Sequence, residues 1–403
     1  MTRPLPTLYG RHVTVLTTDE AVADAVPGQR ALGAVRWTIL VYLASRVLLL
    51  FVAVAAGALE HHSLISELGR WDGTWYGQIA SGGYPRHTSQ YPTALGFFPL
   101  YPLTIWFVVH LPGPPNSVII AGVLISLCGG LVAALLVQRL TTDWWGEAGA
   151  RRATVMFCFF PGSIVFSMAY AEGLLLPLAA GCLLALQRRR WILAGALAGL
   201  ATAVQPDAVA LVVACAVAAG LELRRRGWRD PAARRSLLAP VLSVAGVGAF
   251  AAFLWVWTGT PFATLKAQRD GWGEKVDPLA LVHQGRYLAH ELGKVSLHHL
   301  NINVGPAAGL LGALVLVAGV VLLFKRPGRV SVEAMAFTLS VGLLAIVSEN
   351  MSPNARLLIT AFPAVLVFAY RCERRRYTWL IVATTILLVV TSALTYGGRS
   401  LTP

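Results

Sequence analysis

The chain has 403 residues, of which 56% are hydrophobic and 13% are charged. A typical soluble domain carries about 25% charged residues, so this composition excludes an ordinary soluble protein and indicates one that lies in a membrane. The formal net charge is +14, but the basic residues stand in short clusters between apolar segments, which is typical of membrane topology signals and not of nucleic-acid binding.

The apolar segments have nearly the length of transmembrane helices, because a hydrocarbon core about 30 Å thick requires roughly 20 residues per helix. We therefore predict an all-α, polytopic integral membrane bundle of about 11 transmembrane helices. In chain order, the predicted spans are 37–59, 117–138, 153–170, 171–186, 191–204, 208–223, 236–257, 305–324, 332–347, 357–370 and 379–396. Residues 1–36 are predicted to be a flexible cytoplasmic leader, and residues 37–403 a single transmembrane domain.

Clusters of arginine and lysine occur at every second connection between the predicted spans, as expected if those connections face the cytoplasm. The clusters lie at 139–152, 188–190, 224–235, 325–329 and 371–376. This alternation predicts a cytoplasmic N-terminus and an outer C-terminus, provided that the short apolar stretch 97–111 is re-entrant or interfacial. The long segments 60–116 and 258–304 are then expected to form a cap of loops and interfacial helices on the outer face.

The most informative stretch runs from Arg70 to Pro85 and reads RWDGTWYGQIASGGYP. Its aromatic residues Trp71 and Trp75 would share one face of a short helix, and tryptophan prefers the membrane interface. Asp72 is therefore expected at the lipid–water boundary. Two interpretations are open: Asp72 caps the helix, or it takes part in chemistry, and both can hold.

Residues 70–85, together with the motif Phe-Phe-Pro-Leu-Tyr-Pro at 97–102, resemble the signature of the PIG-V mannosyltransferase family. The resemblance continues at 160–163 and 170–173 and covers most of the chain in span order. This family belongs to the GT-C class of membrane glycosyltransferases, whose sugar donor is a polyprenyl or dolichyl phosphate sugar. The resemblance implies that Asp72, in the first outer loop, is catalytic.

A single carboxylate suits such a transfer. A sugar hydroxyl that attacks an anomeric carbon must lose its proton, and an aspartate within hydrogen-bond reach can accept it. The leaving group is already a phosphate, so no second carboxylate is needed as a general acid, in contrast to a glycosidase. One displacement inverts the anomeric centre, and a β-linked donor of the kind that the family implies would give an α-linked product.

The departing phosphate needs a cation, and arginine binds phosphate oxygens with two parallel hydrogen bonds. Arg356 resembles an arginine that family members place after a late outer turn; the alternative is an arginine that snorkels at a helix end. Arg70 is a second candidate; the alternative is that it only pairs with Asp72. Gln205 stands where family members often carry arginine, which leaves the role of that subsite open.

Other candidates would contact substrate. Trp71 and Tyr76 belong to the aromatic motif, and Glu172 lies in an outer turn where a charge is costly unless it faces a cavity or a partner. Of the outer histidines, His283 and His299 are candidates for binding the acceptor or sharing proton transfer.

No histidine or cysteine spacing is diagnostic of a metal site, and we expect neither metal nor cofactor. Arg46 lies well inside the first span and either has a function or binds backbone carbonyls there.

These observations predict an inverting transferase that moves a hexose, by resemblance mannose, from a polyprenyl phosphate sugar to a glycolipid, glycan or protein acceptor. The reaction would occur on the extracytoplasmic face of a cell membrane, which we expect to be a bacterial plasma membrane. The predicted partners are the lipid-linked donor, the acceptor and membrane lipids, without nucleic acid. The alternatives are a transporter or polyprenyl-phosphate flippase, which would need similar cations, and a structural subunit in which Asp72 is only a cap.

Overall fold

The computed structural model describes residues 27–113, 117–293, 305–325, 330–348 and 353–397. Within these ranges, the chain is almost entirely helical. The helices are α1 Pro27–Glu60, α2 Leu64–Leu68, α3 Asp72–Gly82, α4 Leu100–Val109, α5 Val118–Phe159, α6 Glu172–Gln187, α7 Trp191–Thr202, α8 Val209–Arg226, α9 Pro231–Arg235, α10 Leu238–Ser243, α11 Ala245–Thr258, α12 Ala263–Lys266, α13 Ala280–Gly293, α14 Gly305–Lys325, α15 Val332–Val347, α16 Ala355–Thr360, α17 Phe362–Arg371 and α18 Arg374–Tyr396. Short 3-10 turns at Ala94–Gly96, Pro161–Ser167 and Pro206–Ala208, and a π-helical turn at Ala267–Gly271, connect some of them.

Six helical segments in the described part are long and apolar enough to cross a membrane. They are Ala31–Glu60, Val118–Phe159, Pro206–Arg226, Pro231–Thr258, Gly305–Lys325 and Arg374–Tyr396. A bent pair, Pro161–Ser167 with Glu172–Gln187, and four shorter apolar helices accompany them. The chain is thus a multi-pass membrane protein, and the predicted all-α membrane bundle is confirmed.

The prediction of one continuous span over residues 153–170 is wrong. Helix α5 ends at Phe159, and a 3-10 segment at Pro161–Ser167 follows. The next helix, α6, then bends away by 112°. Pro161 has no backbone N–H and disfavours helical geometry at the residue before it, which explains why the helix stops there.

Helix α4 lies within the stretch that was interpreted as re-entrant or interfacial. It has only ten residues, Leu100–Val109, and ten helical residues are about 15 Å long, which is half of the hydrocarbon thickness. Its length therefore supports that interpretation.

Small residues allow the elements around the broken span to approach closely. A Cβ added to Gly129 on α5 would collide with the carbonyl of Gly173 at the start of α6. A Cβ added to Gly162, in the 3-10 segment, would collide with the carbonyl of Ala355 at the start of α16. Such contacts are typical of helix packing in membranes. The first contact places the start of α6 against α5, and the second places the start of α16 against the 3-10 segment.

Arg46, in α1, anchors this segment from the other side. Its Nη1 donates to the carbonyl of Ser163 at 2.6 Å, and its Nη2 donates to the carbonyl of Cys158 at 3.1 Å. The hydroxyls of Ser45, Ser163 and Ser167 accept its other hydrogen bonds. Non-helical backbone at membrane depth must find internal partners, so Arg46 binds backbone carbonyls, as one of the two interpretations proposed.

Candidate active site

Asp72 is the first residue of α3 and not its cap. The N-cap position belongs to Trp71, which makes no side-chain cap hydrogen bond. Trp71 has φ 59° and ψ −123°, a conformation that residues other than glycine rarely adopt, and one that costs about 1–3 kcal/mol. The capping interpretation of Asp72 is therefore wrong, and the strained Trp71 sets the direction in which α3 begins.

The carboxylate of Asp72 is bound by an arginine from the far end of the chain. Arg356 Nη1 lies 2.6 Å from Asp72 Oδ2, although the two residues are 284 positions apart in sequence. Arg356 sits in the first turn of α16, which Asn354 caps. Its guanidinium Cζ lies 5.7 Å from the centroid of the Tyr170 ring. The arginine is buried, whereas the Asp72 side chain keeps 24% of its surface exposed, so the carboxylate is the accessible member of the pair.

A second carboxylate lies on the other side of Arg356. Glu172, at the start of α6, is 2% exposed. Its Oε1 is 3.4 Å from Arg356 Nε and accepts a hydrogen bond from Gln205 Nε2 at 3.0 Å. We call Asp72, Glu172, Gln205 and Arg356 the Asp72 cluster.

Two oxygens of this cluster have no hydrogen-bond donor within the described residues. They are Oε2 of Glu172 and Oε1 of Gln205, and both are buried. Leaving a buried acceptor without a donor costs about 1–3 kcal/mol, so buried polar atoms are nearly always paired. Both oxygens could therefore accept hydrogen bonds from the hydroxyl or N–H groups of a ligand.

Aromatic side chains form one wall beside the cluster. The buried ring of Tyr76 makes edge contacts with Phe97 and Tyr101, at centroid distances of 5.2 Å and 4.8 Å. Trp75 stacks on Phe97 at 5.9 Å. Burial, together with the neighbouring Asp72 and Glu172 charges, raises the pKa of Tyr76 well above its usual value, so its hydroxyl stays neutral.

Arg70 does not pair with Asp72, so that alternative interpretation of Arg70 is wrong, and its role at the donor phosphate stays a prediction. Its Nη1 lies 2.9 Å from Glu67 Oε2 and 2.7 Å from the carbonyl of Tyr396. Glu67 lies three residues earlier and is buried. A buried carboxylate needs a counter-ion, and Arg70 is that counter-ion. Trp71 likewise points its indole N–H to the carbonyl of Thr395, at 3.4 Å.

The predicted histidines are not brought into the cluster by the described structure. His283, on α13, is exposed, and its Nδ1 lies 2.6 Å from Asp277 Oδ2. The Leu279 N–H and His283 lower the pKa of Asp277 below its usual range, which strengthens this local pair. His299 lies outside the described residues. In the described ranges, no group of three His, Cys, Asp or Glu side chains could hold a metal ion, and the absence of a metal stays a prediction.

Sequence reasoning missed two features of the site. Tyr170, whose ring lies against Arg356, stands in the matched motif at 170–173 but received no role. An apolar cavity of about 660 Å³ also opens beside α3, and Ile79 and Ala80 form part of its wall. Its other walls come from α4 and α11, including Phe250 and Phe253, and no sequence pattern links those helices to Asp72.

No family model matches the chain. Over 116 residues, it is 31% identical to GPI mannosyltransferase 2 of Drosophila pseudoobscura pseudoobscura. That alignment covers 27% of this chain and 25% of the relative, so the chain spans about a quarter of the length of the curated relative that it matches. The resemblance to membrane mannosyltransferases that the motifs indicated is confirmed over this part of the chain.

Solved structures with an overlapping fold include the Archaeoglobus fulgidus oligosaccharyltransferase in its apo form. The TM-score is 0.49 at 14% sequence identity, over 90% of this chain and 56% of that one. The archaeal oligosaccharyltransferase AglB from the same organism, in complex with an inhibitory peptide and a dolichol-phosphate, gives a TM-score of 0.43 at 12% identity. That overlap covers 89% of this chain and 56% of the other.

Proposed function

We propose that the chain is an inverting glycosyltransferase that moves a hexose from a polyprenyl phosphate carrier to a hydroxyl of a glycolipid, glycan or protein acceptor. The observation that carries the proposal is the Asp72 cluster, in which an accessible carboxylate is joined to a buried arginine beside two acceptors without donors. The named function of the aligned relative supports sugar transfer and favours mannose as the sugar.

In the proposed reaction, the acceptor hydroxyl gives its proton to the Asp72 carboxylate as its oxygen attacks the anomeric carbon. The bond between that carbon and the phosphate oxygen breaks, and its electron pair leaves with the polyprenyl phosphate. Arg356 offers the positive charge that stabilises the leaving phosphate. One displacement by one base inverts the anomeric centre.

The ion pair between Asp72 and Arg356 gives the reaction an order. While Arg356 binds Asp72, at 2.6 Å, the guanidinium and Asp72 Oδ2 are engaged with each other. A donor phosphate competes for the same guanidinium, because arginine binds phosphate and carboxylate with the same planar fork. Donor binding would therefore release Asp72 to act as the base, so that the base becomes available only when a leaving group is present.

The acceptors without donors are assigned to sugar recognition. Glu172 Oε2 and Gln205 Oε1 can each accept a hydrogen bond from a sugar hydroxyl. A sugar that lacked one of the matching hydroxyls would leave one of these oxygens unpaired, which disfavours its binding. The two oxygens are thus proposed to discriminate between hexoses.

The apolar cavity is assigned to the lipid tail of the donor. Ile79 lies seven residues after Asp72 on the same helix, which is about 10 Å along the axis, and it forms part of the cavity wall. A polyprenyl chain in this cavity would bring its phosphate towards the first turn of α3, where Asp72 and Arg356 meet.

The decisive experiment supplies purified protein with polyprenyl phosphate mannose and a lipid-linked sugar acceptor. We expect an α-linked product, and none from a nucleotide-linked sugar when the lipid carrier is excluded. Transfer from the nucleotide sugar would contradict the proposed donor. Binding of polyprenyl phosphate without any transfer would favour the flippase alternative.

The proposed orientation has its own test by cysteine labelling. In a background without the five native cysteines, single cysteines replace Ser81, His87 or Ala232, all of which are exposed. An impermeant thiol reagent added to intact cells should label the first two positions, because we place them outside. Labelling at Ala232 alone would reverse the orientation.

A further inference from the structure

Two adjoining hollows lie beside α6, one along the length of the helix and one next to its C-terminal end. The first is an apolar groove of about 460 Å³ between α5, α6 and α7, lined by residues such as Leu136, Leu178 and Leu197. The second is a pocket of about 260 Å³ lined by arginines, Trp191 and Leu238. Arg190 and Leu193 line both hollows, so an apolar groove and a basic pocket lie directly next to each other.

Acidic neighbours neutralise only some of the arginines around the basic pocket. Arg188 lies 3.9 Å from Asp143, and Arg189 lies 3.5 Å from Glu222. Arg190 and Arg235 are exposed and form no ion pair within the described ranges. The pocket therefore carries two cations that no described acidic residue balances, directly beside an apolar groove.

The dimensions suit one lipid. The groove follows α6 from Leu174 to Arg188, and fourteen helical residues are about 21 Å long. One leaflet of a bilayer has a hydrocarbon depth of about 15 Å, so an acyl chain fits along the groove. Trp191 lines the basic pocket, and tryptophan favours the headgroup level of a membrane.

We propose that the groove and the pocket together bind an anionic phospholipid, with its phosphate between Arg190 and Arg235 and one acyl chain in the groove. Basic pockets between transmembrane helices recognise anionic headgroups in this way. A zwitterionic lipid has no net charge to balance the two arginines, so it would bind more weakly. This proposal does not depend on the proposed sugar transfer.

A matched control lies in the same basic cluster. Arg224 and Arg225, in the last turn of α8, are exposed and are absent from the linings of both hollows. The ion pair between Arg189 and Glu222 of α8 places them on the same face of the protein. Replacing them removes the same charge from that face but leaves the two hollows intact.

The experiment titrates the detergent-purified protein with phosphatidylglycerol or phosphatidylcholine of identical acyl chains, and native mass spectrometry counts the bound lipids. We expect tighter binding of phosphatidylglycerol. The double variant Arg190→Gln/Arg235→Gln should weaken it about 10- to 30-fold, whereas Arg224→Gln/Arg225→Gln should bind like the parent. Gly181→Leu fills the groove towards Leu197 and should also weaken it.

Free glycerol phosphate should not displace the lipid, because it lacks the acyl chain; displacement would mean that the pocket binds free phosphate and would overturn the lipid assignment. Equal binding of the two lipids by the parental protein would overturn the proposal without any variant. An equal loss in both double variants would do so too, since it would reduce the effect to the net charge of that face.

Discussion

Two arginines are buried among the residues that the structure describes, and their surroundings differ. Arg46 and Arg356 are 6% and 9% exposed, and each lies against a tyrosine ring, at 5.1 Å and 5.7 Å. Arg46 binds only neutral carbonyl and hydroxyl oxygens. Arg356 faces the carboxylates of Asp72 and Glu172. Burial of a cation thus identifies an important position in either case, but it does not distinguish a structural position from an active one.

The distinction lies in the oxygens around each cation. The N–H groups of Arg46 all donate to oxygens in α1, at the end of α5 and in the 3-10 segment. No N–H group of Arg46 is therefore left to bind a ligand. Around Arg356, two buried oxygens have no donor in the described part of the chain, and one carboxylate is partly exposed. We interpret the first environment as a complete structural network and the second as a site prepared for substrate.

The largest effect is expected for Asp72→Asn. Asparagine keeps the size of the side chain and an oxygen that can accept from Arg356, but it cannot take up the proton. Loss of a general base costs about 10²- to 10⁴-fold in rate, so transfer should fall by that factor while the melting temperature changes little. Asp277→Asn, at a half-buried aspartate paired with His283 outside the cluster, is the control. Transfer by Asp72→Asn at the rate of the parent would refute the assignment of the base.

A smaller loss is expected for Arg356→Lys. Lysine keeps the positive charge but not the planar fork that serves phosphate and carboxylate together. We expect a fall in the transfer rate of about 10²-fold, measured at saturating donor. The same exchange at Arg46 should leave the rate per folded molecule close to that of the parent. If Arg46→Lys instead slowed transfer as much as Arg356→Lys, the contrast between the two arginines would be lost.

The effect of Arg46→Lys should appear in stability. Lysine has three donors on one nitrogen and cannot reach the carbonyls of Cys158 and Ser163 and the serine hydroxyls at once. Buried acceptors left without donors cost about 1–3 kcal/mol in unfolding free energy. A lower melting temperature in detergent is the readout, and a melting temperature equal to the parental one would argue against a structural role.

The smallest effect is expected for Gln205→Leu. The change removes one acceptor and the donor to Glu172 Oε1, so sugar binding should weaken by about 5- to 10-fold. The KM for the sugar substrate should rise by this factor. Gln78→Leu, at an exposed position of α3, provides the control. An unchanged KM would remove Gln205 from the sugar site.

The sequence predicted the helical membrane class because apolar length and charge alternation are local signals. It also singled out Asp72 and Glu172, and the resemblance to the PIG-V family added Arg356 and Gln205. It could not pair them, since the contact between Asp72 and Arg356 joins positions 284 residues apart. It left open whether Arg70, the nearest cation in sequence, pairs with Asp72, whereas Arg70 lies against Glu67. The break at Phe160 was missed because the apolar pattern continues through Pro161 without interruption.

The distance in sequence between Asp72 and Arg356 also has a consequence for biosynthesis. Asp72 enters the membrane with the first helices, and Glu172 follows, but their common cation is synthesised only after α15. Until then, the growing chain holds two carboxylates without their arginine, and the proposed reaction has no cation for its leaving group. The proposed transfer activity therefore requires that the last helices pack against the earlier ones. If the chain is expressed as two fragments divided between α14 and α15, we expect activity only after the fragments assemble.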